Sequence, residues 1–161
     1  MRTALISTFV MLQLVGCSGP MGPIPGKELE GIATPWPADW TFTEDIENVL
    51  LQTNPQDPYS VTVWGVHQNS NFYIAGANPD SNWVENIQRD GQVVLSVENK
   101  LYNALAMTVT DAEELSSVLT LFVGKYEIEP DSTFIEDGGV LFRLSPTVAS
   151  VSSSPEPTHT Q

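Results

Sequence analysis

Pro58–Thr110 reads PYSVTVWGVHQNSNFYIAGANPDSNWVENIQRDGQVVLSVENKLYNALAMTVT, and its reading decides the fold. From Tyr59 to His67 the residues alternate. Val61, Val63 and Gly65 fall on one face of an extended chain, and Ser60, Thr62, Trp64 and Val66 on the other. Gln68–Asn71 supplies turn residues, and Phe72–Ala75 returns as the partner strand of a hairpin. Gly76–Asp80 is a loop whose glycine lets backbone approach a neighbour closely. Asp80 or Ser81 can cap a short helix through Arg89, with Trp83, Val84 and Ile87 on one face. Gln92–Val97 and Leu101–Val109 make a second β pair about the tight turn Glu98–Lys100. In it Val93, Leu95 and Val97 alternate with Gln92, Val94 and Ser96.

Outward from this stretch the signals are shorter. Upstream, Glu44–Gln52 has the propensity of one helix with Thr43 as its N-cap. Asn54-Pro55 and Asp57-Pro58 stop the run abruptly, so a turn into a strand at Val49–Thr53 is the preferred reading. Downstream, Asp111 caps a helix over Ala112–Gly124 with the apolar stripe Leu115, Val118, Leu119 and Phe122, and Gly124 fits a C-cap. After an acidic loop over Glu127–Gly139, Val140–Leu144 is a last strand, stopped by Ser145-Pro146. Residues 147–161 are rich in Ser, Thr and Pro and are expected to be disordered. Antiparallel β structure with two inserted helices predicts a mainly β, α+β fold, a small barrel rather than a parallel sheet.

The 161 residues carry a net charge of -14 with only six Lys and Arg, which leaves no basic footprint for nucleic acid. Met1–Gly16 has a basic Arg2 followed by an apolar run too short for a membrane-spanning helix, the pattern of an export signal. It ends in Leu14-Val15-Gly16-Cys17, which resembles a bacterial lipobox: small residues before a thiol that takes a lipid thioether. Cys17 is therefore the expected lipidation site, and residues 1–16 the expected signal peptide. The mature protein would be lipid-anchored in the cell envelope, at the outer membrane or the periplasmic face of the inner membrane. Losing Arg2 would take the charge from -14 to -15. Residues 17–40, rich in Gly and Pro, read as a tether ahead of a domain over 41–146. Trp36 and Trp40 are large apolar residues for such a segment, and the lead-in is expected to pack against the domain surface. Contact with a ligand or partner is the alternative.

The ordered set SVTVWGV (60–66), FYIAG (72–76), SNWVENI (81–87), RDGQVVLSV (89–97), LYNALAMTVTD (101–111) and LFRLSP (141–146) resembles the flavin-binding split β-barrel family. That family includes pyridoxamine 5′-phosphate oxidase-like proteins and deazaflavin-dependent nitroreductases. The resemblance covers about Trp40–Pro146 and lies in the order of weak motifs rather than in any single one. It implies a six-stranded antiparallel split β-barrel that forms a homodimer, with FMN or a deazaflavin as cofactor and oxidoreductase chemistry. The carried-over cofactor-binding residues are Thr62, Val63, Trp64, Ala75, Gly76, Ser81, Asn82 and Trp83, with no catalytic side chain and no metal. Relatives pair phosphate with Arg or Lys on the second strand and its following loop. This chain has neither from Thr53 through Gln88, and Asp80 stands where a cation would be wanted. The alternative is therefore a non-enzymatic lipoprotein whose barrel holds no cofactor and acts as a binding or structural module.

Other constellations are weak. His67 reads as an exposed turn histidine and His159 lies in the tail. No His and Cys set has metal-ligand spacing, and no nucleophile elbow is present. Glu127, Glu129, Asp131, Glu136 and Asp137 do not follow the spacing of a calcium loop. Trp64 and Trp83 would ordinarily be core or interface aromatics, and become ring contacts only through the resemblance.

Overall fold

A computed structural model describes residues 19–129 and 133–147. The expected signal peptide, Cys17 and the tail beyond 147 lie outside the described residues. The strands are β1 (Ile32–Ala33), β2 (Val49–Thr53), β3 (Tyr59–Val63), β4 (Gly65–Gln68), β5 (Asn71–Gly76), β6 (Gln92–Val97), β7 (Lys100–Thr108) and β8 (Val140–Pro146). Helix α1 (Asn82–Arg89) joins β5 to β6, and α2 (Ala112–Tyr126) joins β7 to β8. The sheet runs β3-β2-β6-β7-β8-β5-β4 with antiparallel neighbours, and β1 adds a short parallel pairing to β7. The fold is mainly β with two helices and a curled antiparallel sheet, as the alternation in Pro58–Thr110 predicts.

Strands β3 and β4 are one extended segment with a break at Trp64, so the six expected strands are present and one of them is divided. The break exchanges partners: Val63 pairs with Val49 on β2, whereas Gly65 pairs with Ile74 on β5. One continuous run of chain therefore stands at both ends of the sheet and curls it into a barrel. The side-chain alternation survives the exchange. Val63 enters the barrel core, while Val66 packs outside it beneath α2. The turn before β7 has Glu98 at φ 48° and Asn99 at φ 65°, the left-handed pair that suits a twisted two-residue hairpin.

Two apolar clusters follow from the period of two along the strands. Inside the barrel lie Leu51, Phe72, Ile74, Leu95, Phe142 and Leu144, all fully buried, closed at one end by Val84 and Ile87 of α1. On the outer face Tyr73 and Leu141 meet Val118 and Phe122 of α2. Asp111 caps α2 by accepting from the Glu114 N–H at 2.8 Å, as expected. Gly124 is not its C-cap. The helix runs on to Tyr126, and Glu127 takes the left-handed position at φ 50°. The apolar side chain of Tyr126 extends the buried face by one more turn, which outweighs the stop signal of an exposed glycine. Thr43 caps no helix either. It ends a single 3-10 turn (Thr41–Thr43), and its hydroxyl donates to the Trp40 carbonyl.

The lead-in is no free tether from Gly26 onward, and the packed body begins before the expected boundary at 41. Gly26 exchanges backbone hydrogen bonds with Ser60, on the outer edge of β3, at 2.8 and 3.0 Å. Ile32 and Thr34 donate to the carbonyls of Asn99 and Leu101. Trp40 is completely buried, with its ring centroid 5.0 Å from those of both Phe72 and Tyr102 and 4.8 Å from Trp36. Both tryptophans belong to the strap that covers the barrel.

Beneath α2 the Tyr73 hydroxyl donates to Glu114 at 2.8 Å, and Arg143 holds the same carboxylate through both oxygens at 2.8 and 2.9 Å. Burial, reinforced by the Glu114 carboxylate, pushes the Tyr73 hydroxyl up to about 12. A raised value favours the protonated folded state, so this contribution is intact below the ordinary tyrosine value near 10 and is lost as pH climbs toward 12. Urea unfolding between pH 10 and 12 should show a fall of about 2–3 kcal/mol from this residue. Tyr73→Phe should flatten that part of the pH dependence, and an unchanged slope in the variant would refute the assignment.

Candidate functional site

Where the β3–β4 break, the end of β5 and the start of α1 converge, α2 stands off the sheet and leaves a cavity of about 610 Å³. This falls within the range of small-molecule sites. One wall is Thr62, Val63 and Trp64 from the divided strand, and the facing wall is Ala75 and Gly76 with the loop residues Ala77 and Asn78. Ser81 and Trp83 close one end, and Leu119, Phe122 and Val123 of α2 with Ile128 and Phe134 form the roof. Seven of the eight residues expected to hold a cofactor thus line one cavity. Asn82 does not. It faces a smaller adjoining space of about 280 Å³ that shares Thr62, Ser81 and Trp83 with the cavity and is otherwise bounded by Gly22–Pro25, Tyr59 and Val61.

The local causes are specific. Trp64 sits where the hydrogen-bonding partner changes, and its indole is 41% exposed and stacked on Tyr126 at 4.4 Å with 10° between planes. Tyr126 is held in turn: its hydroxyl accepts from the Gly65 N–H at 2.8 Å and lies 2.9 Å from the Glu47 carbonyl. Burial raises the Tyr126 pKa, so the hydroxyl stays protonated. Gly76 is small because a Cβ there would come within 3.0 Å of the Trp83 ring and 2.9 Å of Val84. The Ser81 hydroxyl donates to the Asn78 carbonyl at 2.8 Å, tying the loop to the start of α1.

Among the described residues no lining side chain is ionisable; the polar groups are the neutral side chains of Asn48, Thr62, Asn78 and Ser81. The described walls can therefore enclose a flat, largely apolar ring and offer its edge neutral hydrogen bonds. His67 lies outside the cavity. That residue is not an exposed turn histidine: it is within β4, its side chain only 19% exposed, with Nε2 3.7 Å from Glu44. The roof was missing from the sequence-based site. Leu119 and Phe122 read as core stripe, and Val123 one position further on was the available signal. A separate groove of about 560 Å³, between Thr34–Trp36 and the β6–β7 hairpin, contains none of the expected site residues.

No family model matches the chain, and no curated protein matches it in sequence. Solved structures do match in fold. A protein assigned as a pyridoxamine 5′-phosphate oxidase from Listeria innocua aligns at 15% identity and a TM-score of 0.50, covering 64% of this chain and 86% of that one. One assigned to 5-nitroimidazole antibiotic resistance from Bacteroides thetaiotaomicron aligns at 14% and 0.52, covering 63% and 73%. An F420-H2-dependent reductase aligns at 17% and 0.51, covering 62% and 95%. At these identities the likeness establishes the split-barrel fold alone.

Proposed function

We propose that this chain is a flavin- or deazaflavin-type split barrel of the oxidoreductase class, with the ring seated between Thr62–Trp64 and Ala75–Trp83. The observation that carries this reading is a cavity of suitable size that gathers seven of the expected residues and has no ionisable side chain among its described lining residues. Such a ring supplies two-electron hydride chemistry itself when bound. The chain then has to enclose, orient and keep water out. Apolar Leu119, Phe122, Val123 and Phe134 do the last, and Asn48, Thr62 and Asn78 can orient a heteroatom edge. Relatives whose names concern F420-H2 and pyridoxamine 5′-phosphate support the class. A homodimer is the assembly the resemblance implies, with Leu105 and Met107 as exposed apolar residues on β7.

The second reading is a cofactor-free binding or structural module, favoured by the absence of Lys and Arg from the described residues that line the cavity. The visible spectrum of the purified full-length protein, followed by titration with lumiflavin, FMN, FAD and a deazaflavin, separates the two. Retained chromophore or micromolar binding of any of them is expected. Binding of none leaves the cofactor-free module.

We further propose that the protein is lipid-anchored in the cell envelope through Cys17, from the apolar leader and the Leu14–Cys17 motif. Cys17→Ala should move the protein from the membrane to the soluble fraction. A variant that still sediments with membranes would end the lipid-anchor proposal.

A further inference from the structure

We infer that the cavity selects a ring that carries no phosphate: a tricyclic flavin-type chromophore with a neutral polyol or alkyl side chain rather than FMN. The inference rests on the ring-binding reading above. A flavin phosphate is a dianion, and proteins that hold such a group ordinarily meet it with charge-assisted donors from Arg or Lys. This chain has six Lys and Arg, and none falls between Lys27 and Arg89, the interval that supplies both strand walls and the loop.

Beyond Arg2, which lies outside the described residues, each cation is engaged away from the cavity. Lys27 pairs with Asp57 at 3.2 Å, Arg89 donates to Asn86 at 3.3 Å, and Lys100 lies over the Phe42 ring. Arg143 is bound to Glu114. Lys125 follows the roof residues in sequence, yet its ammonium donates to the carbonyls of Thr43 and Gly65 at 2.9 Å each and borders a different groove, with Glu44 and His67.

The start of α1 is the remaining place for an anion: Ser81 makes no side-chain cap there and the first N–H groups of the helix are open, but no cation stands beside them among the described residues. The space there is bounded by Gly22–Pro25 and Tyr59 rather than by a cation. The Ser81 hydroxyl is committed to Asn78, and two carboxylates flank the helix start in sequence, Asp80 just before the N-cap and Glu85 in the first turn. Net charge of -14 adds a repulsive field over the whole molecule. Asn48, Thr62 and Asn78 are neutral donors and acceptors, matched to carbonyls and hydroxyls and not to a dianion.

The test is a fluorescence or calorimetric titration of the full-length protein in detergent with riboflavin and FMN in parallel, at low and at physiological salt. Riboflavin should bind at least about tenfold more tightly than FMN at low salt. The gap should narrow as ionic strength rises and screens the repulsion over about 8 Å. Ala77→Arg, which places a guanidinium on an exposed wall of the cavity, should raise FMN affinity relative to riboflavin by about tenfold, the scale of one charge-assisted contact. FMN binding as tightly as riboflavin, or a ratio that Ala77→Arg leaves unmoved, overturns the phosphate selectivity while leaving ring binding intact. Binding of neither flavin overturns both.

Discussion

Trp40→Ala is expected to lower the unfolding free energy by about 3–5 kcal/mol, the range for deleting a buried aromatic. Against a typical total of about 5–15 kcal/mol, this would leave much of the population unfolded at physiological temperature. The size follows from position. Trp40 is wholly buried and meets Trp36, Phe42, Phe72 and Tyr102, so its removal opens a void bordered by rings too large to collapse into it. Its indole N–H has no hydrogen-bond partner among the described residues. Trp40→Phe keeps an aromatic ring and removes that unsatisfied donor, and should cost no more than about 1.5 kcal/mol. Urea denaturation of both variants checks the pair, and equal losses would mean that ring packing is not what the strap contributes.

Gly65→Ala is the second large effect. A Cβ there would lie 2.3 Å and 2.6 Å from Phe72 ring carbons and 3.2 Å from the Tyr73 carbonyl. Phe72 is fully buried and cannot retreat, so either its ring or the strand must shift. The loss should be about 3 kcal/mol, the upper part of the overpacking range. Gly124→Ala provides the contrast within the same protein. It is helical, in the last turn of α2, and exposed, and nothing lies within 4 Å of a Cβ, so it should gain about 0.5 kcal/mol. Thermal unfolding midpoints that move in the same direction for both variants would contradict this account.

These positions also mark what could be read from the sequence. The barrel strands were readable because β-branched residues at Val61–Val63 and Val93–Val97 carry a period of two that needs no knowledge of partners. The cap at Asp111 was readable because its hydrogen bond is local. The break at Trp64 was not, since the alternation of side chains runs through it unchanged and only the hydrogen-bonding neighbour differs. Packing of Trp40 against the domain was expected from its size, but its complete burial was not readable: the strap has no periodicity, and its distant ring partners Phe72 and Tyr102 lie 32 and 62 positions away. The cavity walls Thr62–Trp64 and Ala75–Trp83 came from family resemblance, while the roof at Val123, Ile128 and Phe134 depends on how far α2 stands from the sheet. The missing positive charge needed no structure, because no cation occurs in the interval that builds the walls.

The divided strand has a consequence for the protein's solution behaviour. Between β3 and β4 the barrel is joined by the chain itself and not by a hydrogen-bonded seam, so it has two open edges. Both are occupied: Gly26 bonds to Ser60 along β3, and the side chains of Tyr126 and Lys125 bond to Gly65 on β4. An uncovered strand edge is a template for another chain. The strap and the last turn of α2 therefore act as guards against edge-to-edge pairing, and a protein clipped just after Gly26, which keeps Trp40 and β2, would be expected to stick to its own copies before it lost its fold.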